Sequence, residues 1–116
     1  MKDDRVYLAH IRDSVDLIRE YTREGKSAFM DDRKTQDAVV RNLEIIGEAA
    51  KNVSEQLRRA HEDVPWRRIA GMRDKLIHEY FGVNLEVVWS AVEQELPKLG
   101  EQVRAILRSA AKPTDS

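Results

Sequence analysis

Six apolar residues near the middle of the chain, Val39, Leu43, Ile46, Ala50, Val53 and Leu57, recur at gaps of four, three, four, three and four. That alternation keeps one apolar edge in line along a helix and forms a seam for a neighbouring helix. No stretch alternates apolar and polar residues as a half-buried strand would. An all-α chain follows, and the remaining segments fit it. A first helix is predicted from Asp4 to about Glu24, with core stripe Leu8, Ile11, Val15 and Ile18 flanked by Tyr7 and Tyr21. Gly25 ends it, because glycine takes the left-handed cap at little cost. Ser27 to Asp31 reads as a connector in which Phe29 plugs the bundle end.

The seam helix starts near Asp31 or Asp32, either of which can cap free N–H groups. Gly47 lies inside it and marks a close approach by another element, since glycine there weakens a helix by about 1 kcal/mol against alanine. Val64-Pro65-Trp66 restarts the chain, and Pro65 suits the first position of a helix. A third helix is predicted from Pro65 to about Tyr80, burying Trp66, Ile69, Met72 and Leu76. Gly82 ends it and Asn84 caps a fourth, whose stripe is Leu85, Val88, Val92, Leu96, Leu99, Val103 and Ile106. Pro97 must kink or split that helix, because proline removes a backbone bond and clashes with the preceding turn. Lys112 to Ser116 is a polar tail expected to fray. Short joints between long amphipathic helices imply an up-and-down bundle of four main helices, one domain spanning residues 1–116.

A chain of 116 residues can bury a core without staples, and with no cysteine it has no disulfide, thiolate metal site or thiol nucleophile. Met1 to Asp4 is charged and no apolar run follows, so no export signal is read there. No stretch approaches the roughly 18 apolar residues of a membrane span. A cytoplasmic protein is expected, without membrane attachment. The net charge of −1 argues against a wholly basic nucleic-acid coat. Locally the balance differs: Arg58, Arg59, Arg67, Arg68, Arg73 and Lys75 face only Glu62, Asp63 and Asp74 within residues 58–75. This stretch is the place to look for an anionic ligand, unless its charges simply form a solvated face.

Metal chemistry finds little support. His10, His61 and His78 all lack a glutamate three residues before them, so the di-iron Glu-x-x-His pairing is missing. His78-Glu79 lacks the second histidine of a zincin, and Asp31-Asp32 lacks the calcium-loop pattern. Glu44 and Glu48 share a helix face, but two carboxylates make a weak site. What remains is Arg73-Asp74-Lys75-Leu76-Ile77-His78-Glu79-Tyr80, an R-x4-H-x-Y pattern at the end of the basic stretch. Arginine grips a phosphate through two parallel N–H bonds and steadies added charge, while histidine moves a proton near neutrality. The pair suffices for RNA cleavage in which a 2′-OH attacks the adjacent phosphorus. Residues five apart lie about 140° apart around a regular helix, so Arg73 and His78 do not share one face. Either the helix loosens between them, or the arginine reaches around, or a two-fold axis brings two copies into one cleft. A helix end with a capping histidine and a buried tyrosine is the plain alternative.

At these residues the chain resembles the HepT-like ribonuclease toxins of the HEPN superfamily, which pair with MntA-like minimal nucleotidyltransferase antitoxins. The resemblance runs through Phe29 and Asp31, Ala38-Val39, Leu43 to Lys51, Val64-Pro65-Trp66 with Ile69, Met72-Arg73, His78 to Phe81, Val88-Trp89 and Leu96 to Leu99. It implies a HEPN-like helical protomer that dimerises, with both copies of the motif in a shared cleft. Arg73 and His78 fall on the family's catalytic pair. Tyr80 falls on the tyrosine that the nucleotidyltransferase modifies with AMP, silencing the toxin. Asp74 stands where close relatives most often carry asparagine, and Gly47 and Glu48 belong to the helix-two block, in a packing or orienting role towards Arg73. No cofactor and no metal are implied.

Two functions of different class are therefore expected. The first is a metal-independent endoribonuclease toxin of a type VII-like pair, acting on RNA through Arg73 and His78 with Asp74 and Glu48 in support. The alternative is a non-catalytic helical dimer that binds a nucleotidyltransferase partner or a nucleotide. A weaker third reading makes the partner the toxin and this chain its substrate or inhibitor.

Overall fold

A computed structural model describes residues 3–78 and 84–111, without the side chains of residues 73, 75–78 and 110–111. Every regular element among the described residues is helical. In chain order these are α1 (Asp4–Tyr21), α2 (Lys26–Asp31), α3 (Arg33–Asn52), α4 (Glu55–Ala60), α5 (Trp66–His78) and α6 (Leu85–Ser90). A π-helical segment (Ala91–Glu95) follows and leads directly into α7 (Leu96–Ala111). Helix α3 packs against both α1 and α5, and α1 also packs against α7. The long elements α1, α3, α5 and the α6–α7 run are thus the four main helices of a bundle, with α2 and α4 as short helical joints.

The stripe predicted for α1 is buried as expected, and so is that of the fourth helix except for Leu85, which is half-buried. Leu8, Ile11, Val15 and Ile18 are closed to solvent, as are Val88, Val92, Leu96, Leu99, Val103 and Ile106. Trp66 and Ile69 anchor the start of α5 in the same core. The Trp66 indole N–H donates to the His61 carbonyl at 2.9 Å, so the ring is buried without an orphaned donor. Phe29 is buried against Trp89, ring centroids 5.4 Å apart, and closes one end of the bundle.

Helix ends differ from expectation in three places. The first helix stops at Tyr21, not Glu24, because Thr22 leaves helical geometry and its hydroxyl donates to the Ile18 carbonyl at 2.7 Å. Gly25 then takes φ 97°, a value that favours glycine, and opens α2. The expected connector is therefore itself a helix, Lys26–Asp31. Its tie to α3 is Gln36, whose amide donates to the Phe29 and Met30 carbonyls at 2.9 and 3.0 Å. Asp32 caps α3 as expected, its carboxylate accepting from the Lys34 N–H at 3.0 Å and the Thr35 hydroxyl at 2.9 Å.

The third difference concerns the seam. Its six residues do not lie on one helix, because α3 ends at Asn52 and Val53 is extended. Ser54 caps α4 through its hydroxyl, and its own N–H and hydroxyl donate to the Asp4 carboxylate at 2.8 and 2.6 Å. The corner thus locks onto the start of α1. Val53 remains buried in the corner, while Leu57 on α4 is only half-buried.

Pro97 does not split the fourth helix at its own position, since it is the second residue of α7. The adjustment comes just before it, in the π segment, where the Leu96 N–H donates to the Ala91 carbonyl five residues back. Proline has no N–H to donate back to the preceding turn, so a widened turn there costs no further bond. The predicted end of the third helix near Tyr80, its predicted stop at Gly82 and the tail from Lys112 lie outside the described residues.

Candidate active site

The motif sits on α5. Trp66 and Ile69 fix the first turns of this helix in the core, and it stays α-helical through His78. Arg73 and His78 both belong to it, and their side chains are outside the described set. Of the three ways to reconcile their 140° separation, a loosened helix between them is not what the backbone shows. Asp74, between them, is exposed. Tyr80 lies outside the described residues.

Helix α3 supplies the neighbouring surface, since it packs along α5. Gly47 is buried in it and Glu48, the next residue, is exposed. Asn52, one turn on, donates to the Glu48 carbonyl at 2.8 Å and to its carboxylate at 3.4 Å. That bond restrains Glu48 from its own helix, and the i, i+4 spacing of the two residues is the sequence signal for it.

The basic stretch is less free than its composition implies. Arg59 pairs with Glu55 at 3.0 Å, and Arg68 pairs with Glu95 of the π segment at 3.0 Å. Both carboxylates come from outside residues 58–75. Among the cations of this stretch with described side chains, Arg67 is exposed and Arg58 half-buried. The Arg58 Nε is buried and has no hydrogen-bond partner among the described residues. No group of three His, Asp or Glu side chains among the described residues is arranged to hold a metal. No described helix is long and apolar enough to cross a membrane.

One grouping was not foreseen. Tyr7 and His10, one turn apart on α1, line an open groove with the α3 residues Glu44 and Glu48. Their rings meet edge to face at 6.4 Å. The i, i+3 spacing puts both on one side of α1, but only the packing of α1 on α3 brings them beside the carboxylates.

The sequence profile of the family described as “Ribonuclease HepT-like” matches residues 11–106, a span that contains the whole of α3 and α5. The chain belongs to the HepT-like ribonuclease family. A Thermococcus cleftensis protein named “Probable ribonuclease HepT” is 51% identical over 94 residues, covering 80% of this chain and 86% of that one. A protein of Caldanaerobacter subterraneus subsp. tengcongensis, provisionally named an RNase, is 48% identical over 110 residues, or 93% of this chain and 97% of the relative. A Methanocaldococcus jannaschii protein is 43% identical over 112 residues, and this chain covers 50% of it. That relative's name joins a gamma-glutamylcyclotransferase to an RNase. No solved structure gave a significant match. The matched span includes α5, which carries Arg73 and His78 within one unbroken segment.

Proposed function

We propose that this HepT-like chain is a metal-independent endoribonuclease toxin that acts as a homodimer in the cytoplasm. The observation that carries the reading is the family match across residues 11–106, which encloses the R-x4-H motif on α5. Arg73 holds the scissile phosphate and steadies the charge that builds on it. His78 takes the proton from the 2′-OH as that oxygen bonds to phosphorus. The bond to the 5′ oxygen breaks, and that oxygen is protonated by a second histidine, His78 of the other copy. The products are a 2′,3′-cyclic phosphate and a 5′-hydroxyl end. Two copies of α5 around a two-fold axis answer the angular problem that one regular helix poses. Glu48, restrained by Asn52 on the adjacent α3, orients Arg73, and Asp74 sets the local charge between the two catalytic residues.

Regulation follows from Tyr80, two residues beyond His78. A MntA-like nucleotidyltransferase partner transfers AMP to its phenolic oxygen, which bonds to the α-phosphorus of ATP as pyrophosphate leaves. The added bulk and negative charge close a cleft shaped for a phosphate backbone. The test is RNA cleavage by the pure protein in EDTA, with AMP-modified protein alongside. Arg73→Ala and His78→Ala are each expected to slow cleavage by about 100-fold or more. Equal rates for parent and both variants would sink the assignment and favour a binding module.

A further inference from the structure

The groove between α1 and α3 has the build of a nucleobase site, and the catalytic reading draws on Glu48 and Asn52 at its edge but not on Tyr7, His10 or Glu44. It holds about 390 Å³ and is open on one side. Its lining combines Ile45, half-buried, and Ala49, buried, with Tyr7 and His10 along α1 and Arg41 and Glu44 along α3. Tyr7 is half-buried, so its ring is already ordered before anything binds, and His10 braces it edge to face. Aromatic rings of this kind are the usual platform for an unstacked base.

The polar wall sets the base. Glu44 is half-buried, and its one ion-pair neighbour among the described residues is Arg41 at 4.0 Å, beyond hydrogen-bond length. A partly desolvated carboxylate with spare acceptor capacity seeks N–H donors. Among the four RNA bases, guanine presents a ring N–H beside an exocyclic amine, two parallel donors that one carboxylate can accept together.

We infer that this groove is a guanine subsite, in which an unpaired base stacks on Tyr7 and is read by the Glu44 carboxylate. The inference rests on the ribonuclease reading for its RNA, but its test does not need cleavage. The probes are four 2′-O-methyl hexanucleotides, which cannot be cut, with G, A, C or U at one position of an otherwise uridine strand. Binding is followed by fluorescence anisotropy. The parent protein is expected to favour the G strand by about tenfold over the A strand. Glu44→Gln, nearly the same shape, is expected to remove that preference while the other three affinities hold. Tyr7→Ala is expected to weaken all four strands, and Tyr7→Phe to restore them, which separates stacking from damage to the fold. Equal affinity for the four strands, no binding to any, or a G preference that survives Glu44→Gln overturns the proposal. A changed oligomeric state on gel filtration in place of a changed base preference also overturns it. A protein that keeps the G preference but cuts no RNA refutes the catalytic reading and leaves the subsite standing. Cleavage without base preference does the reverse.

Discussion

The corner at Val53-Ser54 and the π segment at Ala91–Glu95 are opposite solutions to one problem. At the corner the apolar spacing runs on without a fault, yet the helix ends. At the π segment a proline argues for a break, yet the helix continues. Spacing alone therefore does not report helix continuity. At Ser54 a capping hydroxyl and the distant Asp4 carboxylate supply bonds that reward stopping. At Leu96-Pro97 the apolar stripe must stay on one face. Two successive gaps of four, Val88 to Val92 to Leu96, drift by about 80° on a regular α-helix. A wider turn takes up that drift and also absorbs the missing proline N–H.

The contrast can be broken most severely at the packed seam. Leu96→Ala, at a fully buried position, is expected to cost about 2–5 kcal/mol in denaturant unfolding. Leu57→Ala, on half-buried α4, should cost about 1 kcal/mol. Equal losses would mean that the seam is as tight past the corner as along the π-bridged helix. Next comes the lock itself. Ser54→Ala removes the α4 cap and the hydroxyl bond to Asp4, while the backbone N–H bond to that carboxylate stays, an expected loss of about 1–2 kcal/mol. Asp4→Asn tested in the same background should be much less than additive, because the two residues share one set of bonds.

A smaller effect is expected from Pro97→Ala, within about 1 kcal/mol of the parent. The π turn should persist in the variant, since annealing it would rotate Leu99, Val103 and Ile106 out of the core. Amide exchange across Ala91–Glu95 checks this: a pattern of regular α-helical protection there would show that proline alone holds the turn open. The smallest effect concerns Asp32, whose carboxyl is held below the usual aspartate range by the Thr35 hydroxyl and by the Thr35 and Lys34 N–H groups. A depressed folded value contributes stability that is present above the unfolded pKa and is lost as pH falls through the folded one. Asp32→Asn, still a good cap, should leave neutral stability unchanged and flatten the acid limb of the stability curve. An unaltered acid limb would assign that limb to other carboxylates.

Much of this is legible in the sequence itself. Asp32 and Asn84 cap the helices they were expected to cap, because a short polar side chain bonds the N–H groups two or three residues on. Phe29 closes the bundle end as its position in a polar connector implied. The connector's own helix was missed, because six residues are too few to show a period. The candidate site divides in the same way. The R-x4-H motif and its place on a helix are local facts, and they could be read directly. The pairing of Arg59 and Arg68 with distant or flanking carboxylates qualifies a charge sum that stopped at the segment's ends.

Linear order was enough for the helical class, the core stripes, the caps and the family's motif, since each depends on residues within a turn or two of one another. Three features needed the packed bundle: the Asp4–Ser54 lock, the π turn ahead of Pro97 and the meeting of Tyr7 and His10 with Glu44. Each arises where two elements far apart in sequence, or the core as a whole, impose a constraint that local spacing does not carry. Hydrogen bonds and buried contacts act over a few ångströms in space, without regard to separation along the chain.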